Sequence, residues 1–153
     1  MRRETFKECL DKEHLFETGD KDTAMAEELV KLAEHRESFW KSVTEKAKAY
    51  PSLFFEGYYE IIKELATAIL LLEGWKSLNH ECLFAFLKEK KQDLELDFEY
   101  LLELKDLRNS IDYRGVQVGY VLWQKNELKM QLTINKLKES VQQQMKYTKH
   151  HTD

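Results

Sequence analysis

The chain has 153 residues, a net charge of -4, 42% hydrophobic and 34% charged residues, five glycines and one proline. That length suits one compact domain with a real core, and the scarcity of turn formers excludes a loop-rich architecture in favour of helices. The acidic balance excludes a surface that attracts nucleic acid as a whole, so any such contact must use a local basic patch.

Met1-Arg2-Arg3 is basic but no apolar run follows, so no signal peptide is expected. Residues 1–20 read as a short helical lead-in ending at Thr18-Gly19-Asp20. Asp20 or Asp22 can cap a helix running from about Thr23 to Ala49, with Leu29, Leu32, Ala33, Phe39, Trp40 and Val43 as its apolar stripe. Pro51 suits the first turn of a second helix, where its missing N–H costs nothing. Apolar residues from Phe54, Tyr58 and Ile61 through Leu72 surround most of that helix, which makes it the central one, with Gly74 as its C-terminal cap. Glu56, Glu60, Lys63 and Glu64 lie within it and argue against a membrane span.

Trp75 to Asn79 reads as a connector, and Ser77 or Asn79 can cap a short third helix, His80 to Lys90. Asp93 is expected to open a fourth helix with Leu94, Phe98, Leu101, Leu102 and Leu107 inward. Tyr113 to Gly119 interrupts the helical pattern as an extended or irregular loop. A last helix carries Val121, Leu122, Leu128, Leu132, Leu137, Val141 and Met145 to about Tyr147, and the tail 148–153 is expected to fray. The expected fold is all-α, with four to five main helices over residues 21–147 and a short N-terminal helix.

The segment Leu107-Arg108-Asn109-Ser110-Ile111-Asp112-Tyr113-Arg114-Gly115 carries the chemistry. Arg108 follows Leu101 and Leu104 along an apolar stripe, so its guanidinium needs a partner. That partner is either a ligand phosphate, which suits the planar fork of donors, or Asp112 one turn on, as an ordinary helix ion pair. Asn109 can bond across an interface or cap. Lys105 and Arg114 either widen a basic patch or sit on a solvated surface, and Tyr113 either stacks on a base or packs under the loop.

His80 reads as a helix-start residue rather than an acid catalyst, and His80 and Cys82 are too close in sequence to share a metal. Cys9 and Cys82 offer neither a disulfide framework nor a zinc pattern, which suits a reducing cytoplasm; neither a metal nor a cofactor is expected. The aromatic set Phe39, Trp40, Phe54, Phe55, Tyr58, Tyr59 and Trp75 reads as core.

The order of these segments resembles the HEPN superfamily, and archaeal stand-alone members most closely. The resemblance rests on Leu70-Leu71-Leu72-Glu73-Gly74-Trp75-Lys76-Ser77, on Asn79-His80-Glu81 with Ala85-Phe86-Leu87, and on Leu107-Arg108-Asn109 with Tyr113-Arg114-Gly115. It covers roughly Ala24 to Val141. It implies an antiparallel helical bundle and a homodimer in which the Arg-bearing helix ends of two subunits share a cleft.

Many members are metal-independent endoribonucleases, often toxins; others bind nucleotides or partner small nucleotidyltransferases. The nuclease motif places His five to seven positions after the Arg, and Tyr113, Arg114 and Gly115 stand there in this chain. Asp112 and Tyr113 take the place of the imidazole, and neither does acid–base work well near neutral pH.

The expected function is therefore a cytoplasmic nucleotide- or RNA-phosphate-binding module using Arg108, Asn109, Tyr113, Arg114 and Lys105. A nucleotidyltransferase partner and a toxin–antitoxin setting accompany that reading. The alternatives are an endoribonuclease using Arg108, Asp112 and Tyr113, and a non-catalytic helical adaptor.

Overall fold

A computed structural model describes residues 2–151. In chain order the elements are α1 (Phe6–Asp11), β1 (Leu15–Glu17), α2 (Thr23–Ser42), α3 (Pro51–Leu72), β2 (Trp75–Ser77), α4 (His80–Lys90), α5 (Phe98–Arg114) and α6 (Tyr120–His151). Short 3-10 turns at Thr44–Lys46 and Gln92–Leu94 precede α3 and α5. The result is a helical bundle built around α3, which packs against α2, α4, α5, α6 and β2. None of the described helices is long and apolar enough to cross a membrane.

Local chemistry accounts for most of the helix ends. Asp22, Asn79 and Asp97 accept hydrogen bonds from the backbone N–H groups of Met25, Cys82 and Tyr100 at 3.0, 2.8 and 3.0 Å. Each thereby satisfies a donor that the first turn would otherwise orphan. Pro51 opens α3 as expected. Gly115 ends α5 at φ 65°, a left-handed conformation that a side chain would strain.

The structure departs from the sequence reading at several places. The helix α2 stops at Ser42 rather than near Ala49. There the Ser42 and Thr44 hydroxyls donate to the carbonyls of Phe39 and Lys41, at 2.6 and 2.9 Å, and compete with the backbone for the ladder. The fourth long helix starts at Phe98, not Asp93, because Asp97 is the residue that caps it.

The lead-in and the connector after α3 each contain a three-residue strand. They pair antiparallel, with Leu15 opposite Ser77 and Glu17 opposite Trp75. Strands this short carry too little alternation to read from sequence. Cys9 and Cys82, expected to be unpaired, form a disulfide with Cα atoms 5.8 Å apart. The helix α6 continues through His151 beyond the end expected near Tyr147, and the last two residues of the expected tail lie outside the described residues.

The buried faces of α2 and α6 match those expected only in part: Leu29, Ala33, Trp40 and Val43 on α2 and Leu137, Val141 and Met145 on α6 meet the core as expected, and the others do not. Ala26, Val30, Ala33 and Glu37 face inward on α2, whereas Leu32 and Phe39 are exposed. On α6, Trp123, Met130, Ile134, Leu137 and Val141 are buried, and Val121, Leu122, Leu128 and Leu132 are exposed. The small Ala26 and Ala33 permit close approach to α3, which bulky residues at the same positions would prevent.

Gly57 makes the same approach possible from the other side. A Cβ at Gly57 would overlap the indole of Trp40, which in turn packs on Phe54 with ring centroids 4.8 Å apart. Helix propensity favours Ala over Gly by about 1 kcal/mol. Overpacking against a held indole costs about 1–3 kcal/mol and outweighs it. Chemical denaturation of Gly57→Ala should therefore show a net loss of stability, and adding Trp40→Leu should recover part of it.

Candidate functional site

The helix α3 is buried almost all round, and one stripe along it is only half covered: Glu56, Glu60, Lys63 and Thr67. These positions recur at alternating spacings of four and three, one line along a helix. Charged residues there are tolerated because cations from neighbouring helices meet them. The Glu60 carboxylate lies 2.7 Å from Lys63 Nζ and 3.5 Å from Arg108 Nη2. Arg108 Nε lies 2.9 Å from Asp112 Oδ2, so the helix ion pair read from the sequence is present. The Arg108 side chain is 21% exposed and stands between two carboxylates. Burial and the neighbouring Asp112 charge both push the Glu56 carboxyl up from its ordinary range, with Arg108 opposing them.

His80 opens α4 and faces the same network. Its Nδ1 is 2.9 Å from the Tyr59 hydroxyl. Burial, reinforced by the charges of Lys63, Arg108 and Lys105, lowers the imidazole to about 4. Burial pushes the Tyr59 phenol upward. The phenol therefore keeps its proton and the ring is neutral, an arrangement in which the O–H donates to Nδ1 and the ring proton sits on Nε2.

The remaining expected site residues do not converge. Lys105 Nζ is 3.3 Å from Asp106 and 3.9 Å from Glu81. Arg114 donates to Ser110 on its own helix. Tyr113 is 78% exposed and stands away from the pocket described below. Asn109 is half-buried with no side-chain hydrogen bond among the described residues. Around Arg108 the acids Glu56, Glu60 and Asp112 at least balance the cations, so this patch is not a simple anion trap.

A pocket of about 730 Å³ adjoins the network, and Lys63, Glu64, Thr67, Trp75, Asn79 and His80 contribute to its lining. Glu64 is its most informative group. Only 4% exposed, it accepts from Arg36 Nε through Oε1 at 2.7 Å. Its Oε2 has no hydrogen-bond partner among the described residues. Burial pushes the Glu64 carboxyl up, and the Arg36 charge opposes that shift. A buried acceptor left open costs on the order of 1–3 kcal/mol.

In the sequence, Glu56, Glu60, Lys63 and Glu64 count only against a membrane span. Their helical periodicity inside an otherwise apolar helix was the signal that marks a cleft floor. No family model matches the chain, nor does any curated protein or solved structure.

The depressed imidazole of His80 gives a pH test. Its folded value lies below the unfolded one near 6.5, so the unfolded chain binds the proton first. Stability is full above about pH 6.5 and declines as pH falls toward 4. In NMR titration the His80 ring should stay neutral down to about pH 5, and His80→Gln should flatten the stability loss in that window.

Proposed function

We propose that this protein is a non-cleaving, HEPN-like binding module that holds a nucleotide in the pocket above α3. The observation that carries the reading is the pocket itself, whose lining brings Lys21, Lys63 and Lys76 together with Trp75 and with Glu64, whose buried Oε2 lacks a donor among the described residues. Exocyclic amino groups of adenine, guanine and cytosine are donors of the kind it needs. Trp75 offers an aromatic surface beside it, and Lys21, Lys63 and Lys76 line the same pocket. Lys63 and Arg108 already hold one anion between them, the Glu60 carboxylate. In this reading a phosphate exchanges with Glu60, whose contact to Arg108 is the longer of the two that Arg108 makes. Asn109, Tyr113 and Arg114 play no part in it.

The homodimer is part of the proposal. Met25, Leu32 and Phe39 are exposed at seven-residue spacing on α2, a seam suited to a second helix. A nucleotidyltransferase partner and a toxin–antitoxin role extend the reading further and rest on the resemblance alone.

A second reading has one observation in its favour. The charges of Arg108 and Glu60 both act on the His80 imidazole, so an imidazole shares the network of an Arg that lacks one nearby in sequence. That would suit a metal-independent ribonuclease.

Calorimetric titration with ATP and GTP tests the leading reading. Binding should weaken about tenfold or more in Lys63→Ala and in Arg108→Ala, the worth of a charge-assisted hydrogen bond. Wild-type protein that binds neither nucleotide removes the reading. RNA cleavage in EDTA that disappears in His80→Ala selects the ribonuclease instead. For the dimer, sedimentation at micromolar concentration should give twice the chain mass, and Leu32→Glu with Phe39→Glu should give monomer.

A further inference from the structure

Away from this cleft, four potential metal ligands meet where the N-terminal segment crosses α4. They are Glu4 just before α1, Cys9 on α1, His14 between α1 and β1, and Cys82 in the first turn of α4. Their donor atoms surround one carboxylate oxygen. Glu4 Oε2 lies 3.1 Å from Cys82 Sγ, 3.6 Å from Cys9 Sγ and 3.4 Å from His14 Nδ1. The atoms of Glu4, His14 and Cys82 all lie within 4.8 Å of one another. Lys12 Nζ, 3.1 Å from Glu4 Oε1, holds the other oxygen of the carboxylate.

This arrangement is hard to explain as the surroundings of a disulfide alone. Neither sulfur of a disulfide carries a hydrogen, so the Oε2 contacts to both sulfurs set lone pairs against lone pairs. As ligands, Glu4, His14 and Cys82 already stand together, and Cys9 adjoins them through Glu4 Oε2. Zinc bonds of about 2.3 Å to sulfur and 2.0–2.1 Å to nitrogen or oxygen give tetrahedral donor–donor edges of about 3.3–3.8 Å. The three separations around Glu4 Oε2 already lie close to that range. The edge between the two sulfurs must open, and reduction opens it.

We propose that the reduced protein binds one zinc ion through Cys9, Cys82, His14 and Glu4, and that the disulfide is the oxidised, metal-free form of the same site. Two thiolates with one imidazole and one carboxylate make a four-ligand set that favours zinc over magnesium or calcium. The reductant is a dithiol. It delivers two electrons and two protons to the Cys9–Cys82 bond, becomes a disulfide itself, and leaves two thiols. Zinc displaces both thiol protons, so two protons leave for each ion bound. The site then carries one net negative charge, which the Lys12 ammonium offsets. Either state ties the N-terminal segment to the start of α4, with Cys82 two residues beyond the pocket residue His80. This site stands apart from the nucleotide reading and does not depend on it.

The test uses the full chain, reduced with excess dithiol, freed of it under argon, and titrated with zinc against a chromophoric chelator. One zinc per chain is expected, with two protons released. Cobalt(II) in its place should give the sulfur charge-transfer and strong visible bands of a tetrahedral thiolate site. His14→Ala, a substitution at a side chain that is 37% exposed, should weaken zinc binding at least tenfold, and Cys9→Ser and Cys82→Ser should weaken it more. The oxidised protein should bind no zinc.

Reduced protein that takes up no zinc overturns the proposal. So does binding that His14→Ala leaves unchanged, which would mean the thiols act alone. Circular dichroism accompanies each titration. A reduced chain that loses its helices, and does not regain them with zinc, also overturns it.

Discussion

Gly57 lets the Trp40 indole lie against the backbone of α3, and that contact draws α2 onto the central helix. With α2 seated there and α6 bringing Trp123 against Phe54 and Tyr58, the aromatic core closes around α3. What remains half-covered is one line of mostly charged side chains, Glu56, Glu60, Lys63 and Thr67, with the buried Glu64 beside it. Stranding a carboxylate beside so apolar a helix costs several kcal/mol unless a cation meets it. Glu60 has Lys63 and Arg108, and Glu64 has Arg36 from α2. Arg108 therefore serves the fold first. Any ligand that recruits it must replace a carboxylate already in place.

The same constraint shapes the pocket. One of its walls is made by β2 and the first turn of α4, which α1 and β1 brace from outside. The strand β1 pairs with β2, and Cys9 is bonded to Cys82 beside His80. A segment that reads as a lead-in is thus the buttress of the cleft. Phe6 and Phe86 pack on Trp75, with centroids 6.1 and 5.3 Å away, and hold that indole at the pocket's edge. A pocket braced from outside in this way loses little further order when it is filled, which favours binding.

Much of the fold was legible because helices announce themselves locally. The apolar run from Phe54 to Leu72, Pro51 before it and Asn79 before α4 are short-range signals, and each stands where it was expected. The candidate site was legible only in part. The Arg108–Asp112 pair spans one turn and was readable, whereas the Glu60 contact joins residues 48 positions apart and was not. The inward faces of α2 and α6 were legible only in part because both helices offer apolar residues on more than one side. The choice between those sides falls to the partner helix, which accepts Ala26 and Ala33 and turns Leu32 and Phe39 outward.

By itself the sequence determined a mostly helical chain, the central position of α3, and the starts of α2, α3 and α4 at Asp22, Pro51 and Asn79. These follow from hydrogen bonds and spacings that reach no more than a few residues. Tertiary structure alone decided that Cys9 meets Cys82, that β1 meets β2, that Glu64 is buried against Arg36 with one oxygen unpaired among the described residues, and that His80 bonds Tyr59. Each of these depends on which surfaces pack together, and packing is chosen by the fit of whole helices rather than by any local pattern.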